Sequence, residues 1–79
     1  MKPDTDIIRE QFARLLRTKR HALDLSQEEL GHRAGLAMRY ISLLECNKRQ
    51  PTISTLFALS HALEIPLSDF IREVEDGLN

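Results

Sequence analysis

Apolar residues recur at intervals of three and four along most of this chain, and short polar, glycine- or proline-containing breaks separate the runs. This interval matches the 3.6-residue turn of an α-helix rather than the alternation of a β-strand. The pattern predicts an all-α fold with five helices, at about residues 7–23, 26–34, 37–45, 53–63 and 67–76. Residues 1–6 contain Pro3, Asp4 and Asp6 and are expected to form a frayed terminus.

The apolar faces of these helices indicate the core. The first helix is expected to bury Phe12, Leu16 and Leu23, with Ile8 or Leu15 beside them. The fourth helix presents Leu56, Leu59 and Leu63 at helical spacing, and this face is expected to pack against the first and third helices.

The fifth helix, within residues 66–76, has a wider apolar stripe than a small core requires. The stripe consists of Leu67, Phe70, Ile71 and Val74, and Phe57 lies on a neighbouring face of the fourth helix. The surplus predicts a symmetric dimer whose interface contains these five residues. The alternative is that the fifth helix only covers the core of a monomer.

Residues 26–45 predict two short helices joined by a tight turn. Ser26 and Glu29 have the spacing of a capping box, in which each side chain accepts a hydrogen bond from the other residue's backbone. Gly35 suits the left-handed conformation that ends a helix, and Leu36 can then enter the core. Gly31 leaves room where a second helix would cross the first. Together these signals predict a helix-turn-helix.

The second of these two helices has one outward face. If Ile41 and Leu44 point inward, the 100° step per residue leaves Met38, Arg39, Ser42 and Leu43 on the outer surface. Among them, only arginine has a strong base preference, for O6 and N7 of guanine.

The distribution of charge in this single 79-residue domain is uneven, although the net charge is only −1. Residues 1–50 hold ten Lys or Arg and seven Asp or Glu, whereas residues 51–79 hold one Arg and five acids. This distribution fits a protein with one face toward phosphate and another turned away, but an ordinary solvated surface is the alternative.

One cysteine, no signal-peptide pattern and no apolar run of ~20 residues lead us to expect a cytoplasmic protein.

Residues 12–71 resemble the lambda-repressor and Cro type of helix-turn-helix regulator, also described as XRE-like. The positions that carry the resemblance are Gln27, Leu30, Gly31, Gly35, Leu36, Ile41, Leu44 and Glu45. The run from Arg39 to Glu45, followed by KRQPT, is most similar to restriction–modification controller proteins. Two positions depart from the family: Ala37 stands where a capping serine or threonine is common, and Asn47 stands where glycine is typical.

The resemblance implies a role for each matched residue. The expected base-reading residues are Ala37, Met38, Arg39 and Leu43. The expected phosphate contacts are Arg17, Gln27, Tyr40, Ser42, Asn47, Lys48 and Arg49. Arg20 and Glu45 are expected to form an internal ion pair between the first and third helices.

The expected function is therefore sequence-specific binding of double-stranded DNA by a homodimer on a palindromic operator, without a cofactor. Such a regulator would block RNA polymerase or recruit it. An antitoxin that binds a toxin and regulates its own synthesis is the alternative, although the chain has little beyond the five helices for wrapping a toxin.

We expect no enzymatic activity and no metal, because His21, His32 and His61 are not spaced as the ligands of a metal site are. Cys46, a lone cysteine, is either a redox-sensitive group or an incidental residue.

Overall fold

The computed structural model describes residues 4–79, which form five helices and no strand. The helices are α1 (Thr5–Ala22), α2 (Gln27–Ala34), α3 (Met38–Glu45), α4 (Ile53–Ala62) and α5 (Leu67–Asp76). The predicted all-α class is confirmed, and each predicted boundary lies within two residues of the observed one. Within the described range, every helix is too short or too polar to cross a bilayer.

The amino-terminal end of α1 differs from the expected frayed terminus. The carboxylate of Asp4 accepts hydrogen bonds from the backbone amides of Asp6 and Ile7, at 2.9 and 3.3 Å. Asp4 therefore caps α1, which begins at Thr5. Residues 1–3, including Pro3, lie outside the described residues.

The core draws on all five helices and on Leu25 in the α1–α2 turn. Its fully buried large side chains are Leu16, Leu30, Ile41, Leu44, Leu59 and Phe70. Phe12 of α1 and Phe70 of α5 meet edge to face, with ring centroids 5.7 Å apart. Leu23, predicted to be buried, is 38% exposed because α1 ends before it, and Leu25 is buried instead.

The packing of the five helices places α2 and α3 side by side. α2 contacts α3 and α4, α5 contacts α1 and α4, and α1 contacts α3. The main contacts of α4 are with α2 and α5, and its Leu59 also lies in one buried cluster with Leu16 of the first helix and Ile41 of the third, against which α4 was predicted to pack.

Four helices end in the same way, with a residue in the left-handed conformation. These residues are Asp24, Gly35, Asn47 and Glu64, with φ angles of 58°, 70°, 60° and 62°. In each case the amide of the following residue bonds to a carbonyl five residues earlier, at 2.8–3.2 Å. This is the Schellman arrangement, which satisfies the last carbonyls of a helix and reverses the chain. The predicted turn at Gly35 is confirmed.

Candidate nucleic-acid interface

The two helices of the predicted helix-turn-helix cross closely at Gly31. A Cβ atom on Gly31 would lie 2.5 Å from the carbonyl oxygen of Leu36 and 3.4 Å from the amide nitrogen of Met38. Both are backbone atoms, so only glycine permits this approach. The predicted reason for a small residue at this position is confirmed.

The capping box at the start of α2 is also present. The hydroxyl of Ser26 accepts a hydrogen bond from the amide of Glu29 at 3.0 Å, and the carboxylate of Glu29 accepts one from the amide of Ser26 at 2.9 Å. The backbone and side-chain hydrogen bonds from Ser26 lower the pKa of Glu29. The box fixes the first turn of α2, and therefore the position of Gln27.

α3 is held with one side in the core and the other toward solvent. Ile41 and Leu44 are fully buried, as predicted. The outward residues, called here the outer face of α3, are Ala37, Met38, Arg39, Ser42 and Leu43. Ala37, Met38 and Arg39 are exposed, whereas Ser42 and Leu43 are half-buried. Ala37 has extended backbone and makes no side-chain cap, which agrees with the absence of a hydroxyl there.

A polar network anchors the inner side of α3. Arg20 donates from Nε to Oε2 of Glu45 at 2.7 Å and from Nη2 to Oε1 at 2.9 Å. Gln27 donates from Nε2 to the same Oε1 at 3.1 Å, and Arg20 also donates from Nη1 to the carbonyl of Leu25 at 2.8 Å. The structure thus contains the predicted ion pair between α1 and α3, and Gln27 adds α2 to the same network.

The ionisation of Glu45 depends on this network. Burial opposes the charge and would raise its pKa, but hydrogen bonds from Arg20 and Gln27, with the charges of Arg20 and Arg17, outweigh it. The pKa of Glu45 therefore lies below its ordinary value. The hydrogen bond to Glu45, partly opposed by burial, raises the pKa of Arg20, so both partners are ionised at neutral pH.

Two contacts of arginines with the end of α3 were not predicted from the sequence. Arg17 donates from Nη1 to the backbone carbonyl of Glu45. Arg9 donates from Nε to Oδ1 of Asn47 at 2.8 Å and from Nη2 to Asp6 at 3.1 Å. Both arginines place positive charge near the carboxyl end of α3, where it interacts favourably with the negative end of the helix dipole. The assignments of Arg17 and Asn47 to phosphate remain predictions.

The other predicted phosphate contacts lie around α3. Lys48 and Arg49 are exposed in the loop after α3, whereas Gln27, Tyr40 and Ser42 are half-buried. The amide of Lys48 bonds to the carbonyl of Leu43 at 2.9 Å, which fixes the start of this loop. The fold thus brings the base-reading candidates and Lys48 to neighbouring parts of one helix and its end.

The predicted dimer residues separate into two groups. Phe57 and Ile71 are 59% and 43% exposed, and Leu67 is half-buried; these three are called here the apolar patch. Phe70 and Val74 are only 2% and 7% exposed, because they pack in the monomer core. Their assignment to the dimer surface is therefore wrong. Helix periodicity placed them correctly on an apolar face, but it did not distinguish the inner half of that face from the outer half.

The remaining candidates for chemistry are dispersed. His21, His32, His61 and Cys46 are all exposed. In the part of the chain that the structure describes, no group of three or more His, Cys, Asp or Glu could hold a metal ion.

Known proteins share this sequence pattern. A family model described as Helix-turn-helix matches residues 16–70. The "Uncharacterized HTH-type transcriptional regulator y4dJ" of Sinorhizobium fredii is 34% identical over 70 residues, which cover 89% of this chain and 86% of that protein. The control protein C.SmaI of Serratia marcescens is 42% identical over 65 residues, which cover 77% of each chain.

Solved structures share the fold. The restriction–modification controller protein C.AhdI from Aeromonas hydrophila matches with a TM-score of 0.76 at 31% identity, over 78% of this chain and 94% of that one. The clp gene regulator ClgR from Corynebacterium glutamicum matches with a TM-score of 0.83 at 24% identity, over 90% of this chain and 76% of that one, a likeness of fold alone. Because the family model covers most of the chain, and y4dJ and C.SmaI are 34% and 42% identical to it, this chain belongs to the XRE-type helix-turn-helix family of DNA-binding transcriptional regulators.

Proposed function

We propose that this protein regulates transcription by binding a palindromic operator as a homodimer, with α3 of each subunit in the major groove. The main support for this proposal is that Arg39 is exposed on the outer face of α3. Within residues 4–79 no ion pair engages its guanidinium, whereas Arg9, Lys19, Arg20 and Arg33 each pair with a carboxylate. Arg39 is therefore available to an external acceptor.

The outer face of α3 supports a small set of base contacts. Arg39 would bind guanine through O6 and N7, which requires a bidentate approach from the major groove. Ala37, Met38 and Leu43 offer only apolar contact, which suits the methyl group of thymine. The amino-terminal end of such a helix is the part that reaches base edges.

Phosphate contacts would hold this helix in register. Lys48 and Arg49 lie beyond the carboxyl end of α3, and Gln27 begins α2, where backbone amides favour an anion. Arg17, Tyr40, Ser42 and Asn47 complete the proposed set. These contacts carry no sequence information, but they fix the orientation of α3.

A dimer would give the protein two reading helices. The apolar patch of Phe57, Leu67 and Ile71 lies on α4 and α5, and Ile53 of α4 is a further exposed apolar residue, at 70%. A two-fold axis through the patch would pair it with itself, as isologous interfaces require. Two copies of α3 about one DNA turn, ~34 Å, apart would then require a palindromic site.

The likeness to C.SmaI and C.AhdI supports a restriction–modification controller as the specific role. α5 exposes Asp69, Glu75 and Asp76, whose negative charges would be repelled by DNA phosphates. It offers a contact for RNA polymerase when the protein is bound upstream of a promoter, whereas a site that overlaps the promoter would give repression.

Selection of bound sequences from a random duplex pool, at fixed salt, tests the proposal. Arg39→Ala should cost about 1–3 kcal/mol and relax the preference at one base pair in each half-site. Lys48→Ala is the matched control on the same surface. It should weaken all sequences alike and lower the slope of log K against log salt by about one per subunit. An unchanged motif for Arg39→Ala would remove Arg39 from the reading role, and failure to enrich any motif would refute the function.

A further inference from the structure

The first turn of α3 combines one donor group with apolar groups and lacks an acid. Ala37 is exposed, Met38 is 51% exposed and Arg39 is exposed. No Asp or Glu lies in the first turn of α3, and the one acid of this helix, Glu45, is buried against Arg20. The amino-terminal end of the outer face of α3 therefore offers hydrogen-bond donors from Arg39 and apolar surface from Ala37 and Met38, and the whole outer face has no carboxylate acceptor.

The base-pair code of the major groove makes this composition selective. Cytosine and adenine each present an amino donor, which carboxylate or amide side chains recognise. Guanine presents two acceptors, and thymine presents a methyl group at C5. A face with one arginine and apolar neighbours thus suits a guanine and a C5-methyl group, while it gains nothing from the amino group of cytosine.

Met38 and Arg39 are both exposed and lie in the same turn of α3, about 100° apart around its axis. One helical turn advances about 5.4 Å, which is less than two base steps of about 3.4 Å. Side chains of one turn that enter the groove therefore reach the same base pair or a neighbouring one. Met38 would then lie against the base pair next to the G·C pair that Arg39 reads, within reach of the C5 position of its pyrimidine.

We propose that Ala37 and Met38, beside Arg39, form a site for the C5-methyl group of the pyrimidine next to the guanine that Arg39 reads. This inference rests on the proposed function and specifies its DNA ligand. Because 5-methylcytosine carries its methyl group at the same C5 position as thymine, the site accepts either base. Binding of the protein therefore responds to cytosine methylation within its operator.

Four duplexes that differ at one pyrimidine in each half-site test the inference. The preferred motif comes from the selection experiment, and the pyrimidine beside the conserved guanine is made thymine, deoxyuridine, 5-methylcytosine or cytosine. Thymine and deoxyuridine form one matched pair, and 5-methylcytosine and cytosine form the other, each differing by a single methyl group. Burial of one methyl group predicts about fourfold tighter binding per half-site, or about fifteenfold for two. Fluorescence anisotropy at fixed salt measures the dissociation constants.

Variants locate the methyl contact. Met38→Ala should reduce the ratio within both pairs to below about twofold, and Met38→Leu, which keeps the apolar volume, should restore it. Lys48→Ala should weaken all four duplexes equally and leave both ratios unchanged. Since Met38 and Lys48 are exposed, these variants keep the core intact, which circular dichroism confirms.

Each failure has a distinct meaning. Equal dissociation constants within both pairs for the unaltered protein would overturn the methyl site and leave the regulator in place. The same holds for ratios that persist in Met38→Ala, or for a motif without a pyrimidine beside the guanine. Failure to enrich any motif would overturn the proposed function and this inference with it.

Discussion

Arg20 and Glu45 join the first helix to the end of α3 through two parallel hydrogen bonds, at 2.7 and 2.9 Å. The side chains are only 10% and 2% exposed, so water contributes little to their solvation. Gln27 supplies a third donor to the same carboxylate. In the residues that the structure describes, no buried side-chain nitrogen or oxygen lacks a hydrogen-bond partner. The orientation of α3 therefore depends on an ion pair in which the loss of either member leaves the other charge buried.

We expect Glu45→Gln to lower the free energy of unfolding by about 3–5 kcal/mol, because it leaves the charge of Arg20 buried without a counter-charge. Urea denaturation at neutral pH measures this loss. The matched control is Glu73→Gln, which removes the more exposed Lys19–Glu73 pair at 2.8 Å and should cost at most about 1 kcal/mol. The double variant Arg20→Met/Glu45→Met should recover most of the loss, since no charge remains buried. Equal effects of Glu45→Gln and Glu73→Gln would contradict the role given to burial.

The lowered pKa of Glu45 predicts the direction of the pH dependence. A carboxyl whose pKa is depressed by folding stabilises the protein above its unfolded pKa, ~4.3, and this contribution is lost as pH falls through the folded pKa. Stability should therefore decline below about pH 5, and Glu29 acts in the same direction. The stability difference between the unaltered protein and Glu45→Gln should shrink as pH falls, because the protonated acid resembles the amide. A difference that stays constant from pH 7 to pH 3 would exclude Glu45 as the group responsible.

Gly31→Ala should destabilise the protein by about 1–3 kcal/mol, although alanine is the better helix former. The new methyl group would lie 2.5 Å from the carbonyl of Leu36, and backbone on both sides must move to make room. The matched control is Gly77→Ala, whose methyl group would meet the flexible side chain of Gln11 and whose φ of −70° suits any residue. That control should change stability by less than about 0.5 kcal/mol. Thermal denaturation of both variants compares them directly, and a neutral Gly31→Ala would show that the α2–α3 crossing is not tight.

The helix-turn-helix was predictable because its signals are local. Ser26 and Glu29 form a cap within one turn, Gly35 needs no distant partner, and Ile41 with Leu44 defines the inner side of α3 by spacing alone. The pair of Arg20 and Glu45 spans 25 residues, and it was found through family resemblance rather than through any local pattern.

Features that depend on tertiary packing were missed. Arg9 and Asn47 are 38 residues apart, and nothing in their neighbours' spacing indicates that they meet. Phe70 and Val74 share the apolar face of α5 with Ile71, but the packing of α5 against α1 and α4 decides that the first two are buried. Periodicity thus predicts which face is apolar, while the division of that face between core and surface requires the fold.

Glu64→Gly should stabilise the protein by about 0.5–1 kcal/mol. Glu64 has a φ of 62°, where a side chain costs about 1–2 kcal/mol, and glycine removes this cost while it increases the entropy of the unfolded chain. The variant also loses the exposed contact of Arg33 with Glu64 at 3.4 Å, which contributes little. Glu64→Ala is the control, since it removes that contact but keeps the Cβ atom. A rise in melting temperature of roughly 2–8 °C for Glu64→Gly alone is the expected result, and equal melting temperatures for the two variants would contradict it.

The apolar patch predicts variants that separate association from folding. Phe57→Glu and Ile71→Glu place a charge on exposed surface, so each chain should keep its melting temperature as a monomer within a few degrees while the dimer dissociates. Phe70→Ala, on the same helix as Ile71, should instead cost about 3–5 kcal/mol because it empties a buried site.

Sedimentation velocity over a range of concentrations measures the association of these variants, and circular dichroism measures their folding. On a palindromic operator, the two surface variants should bind one half-site without cooperativity and retain the selectivity of Arg39. Because Phe57 and Ile71 lie on different helices, loss of association in both variants would assign the interface to the shared patch. An unaltered protein that sediments as a monomer at all concentrations, and binds one half-site only, would refute the homodimer.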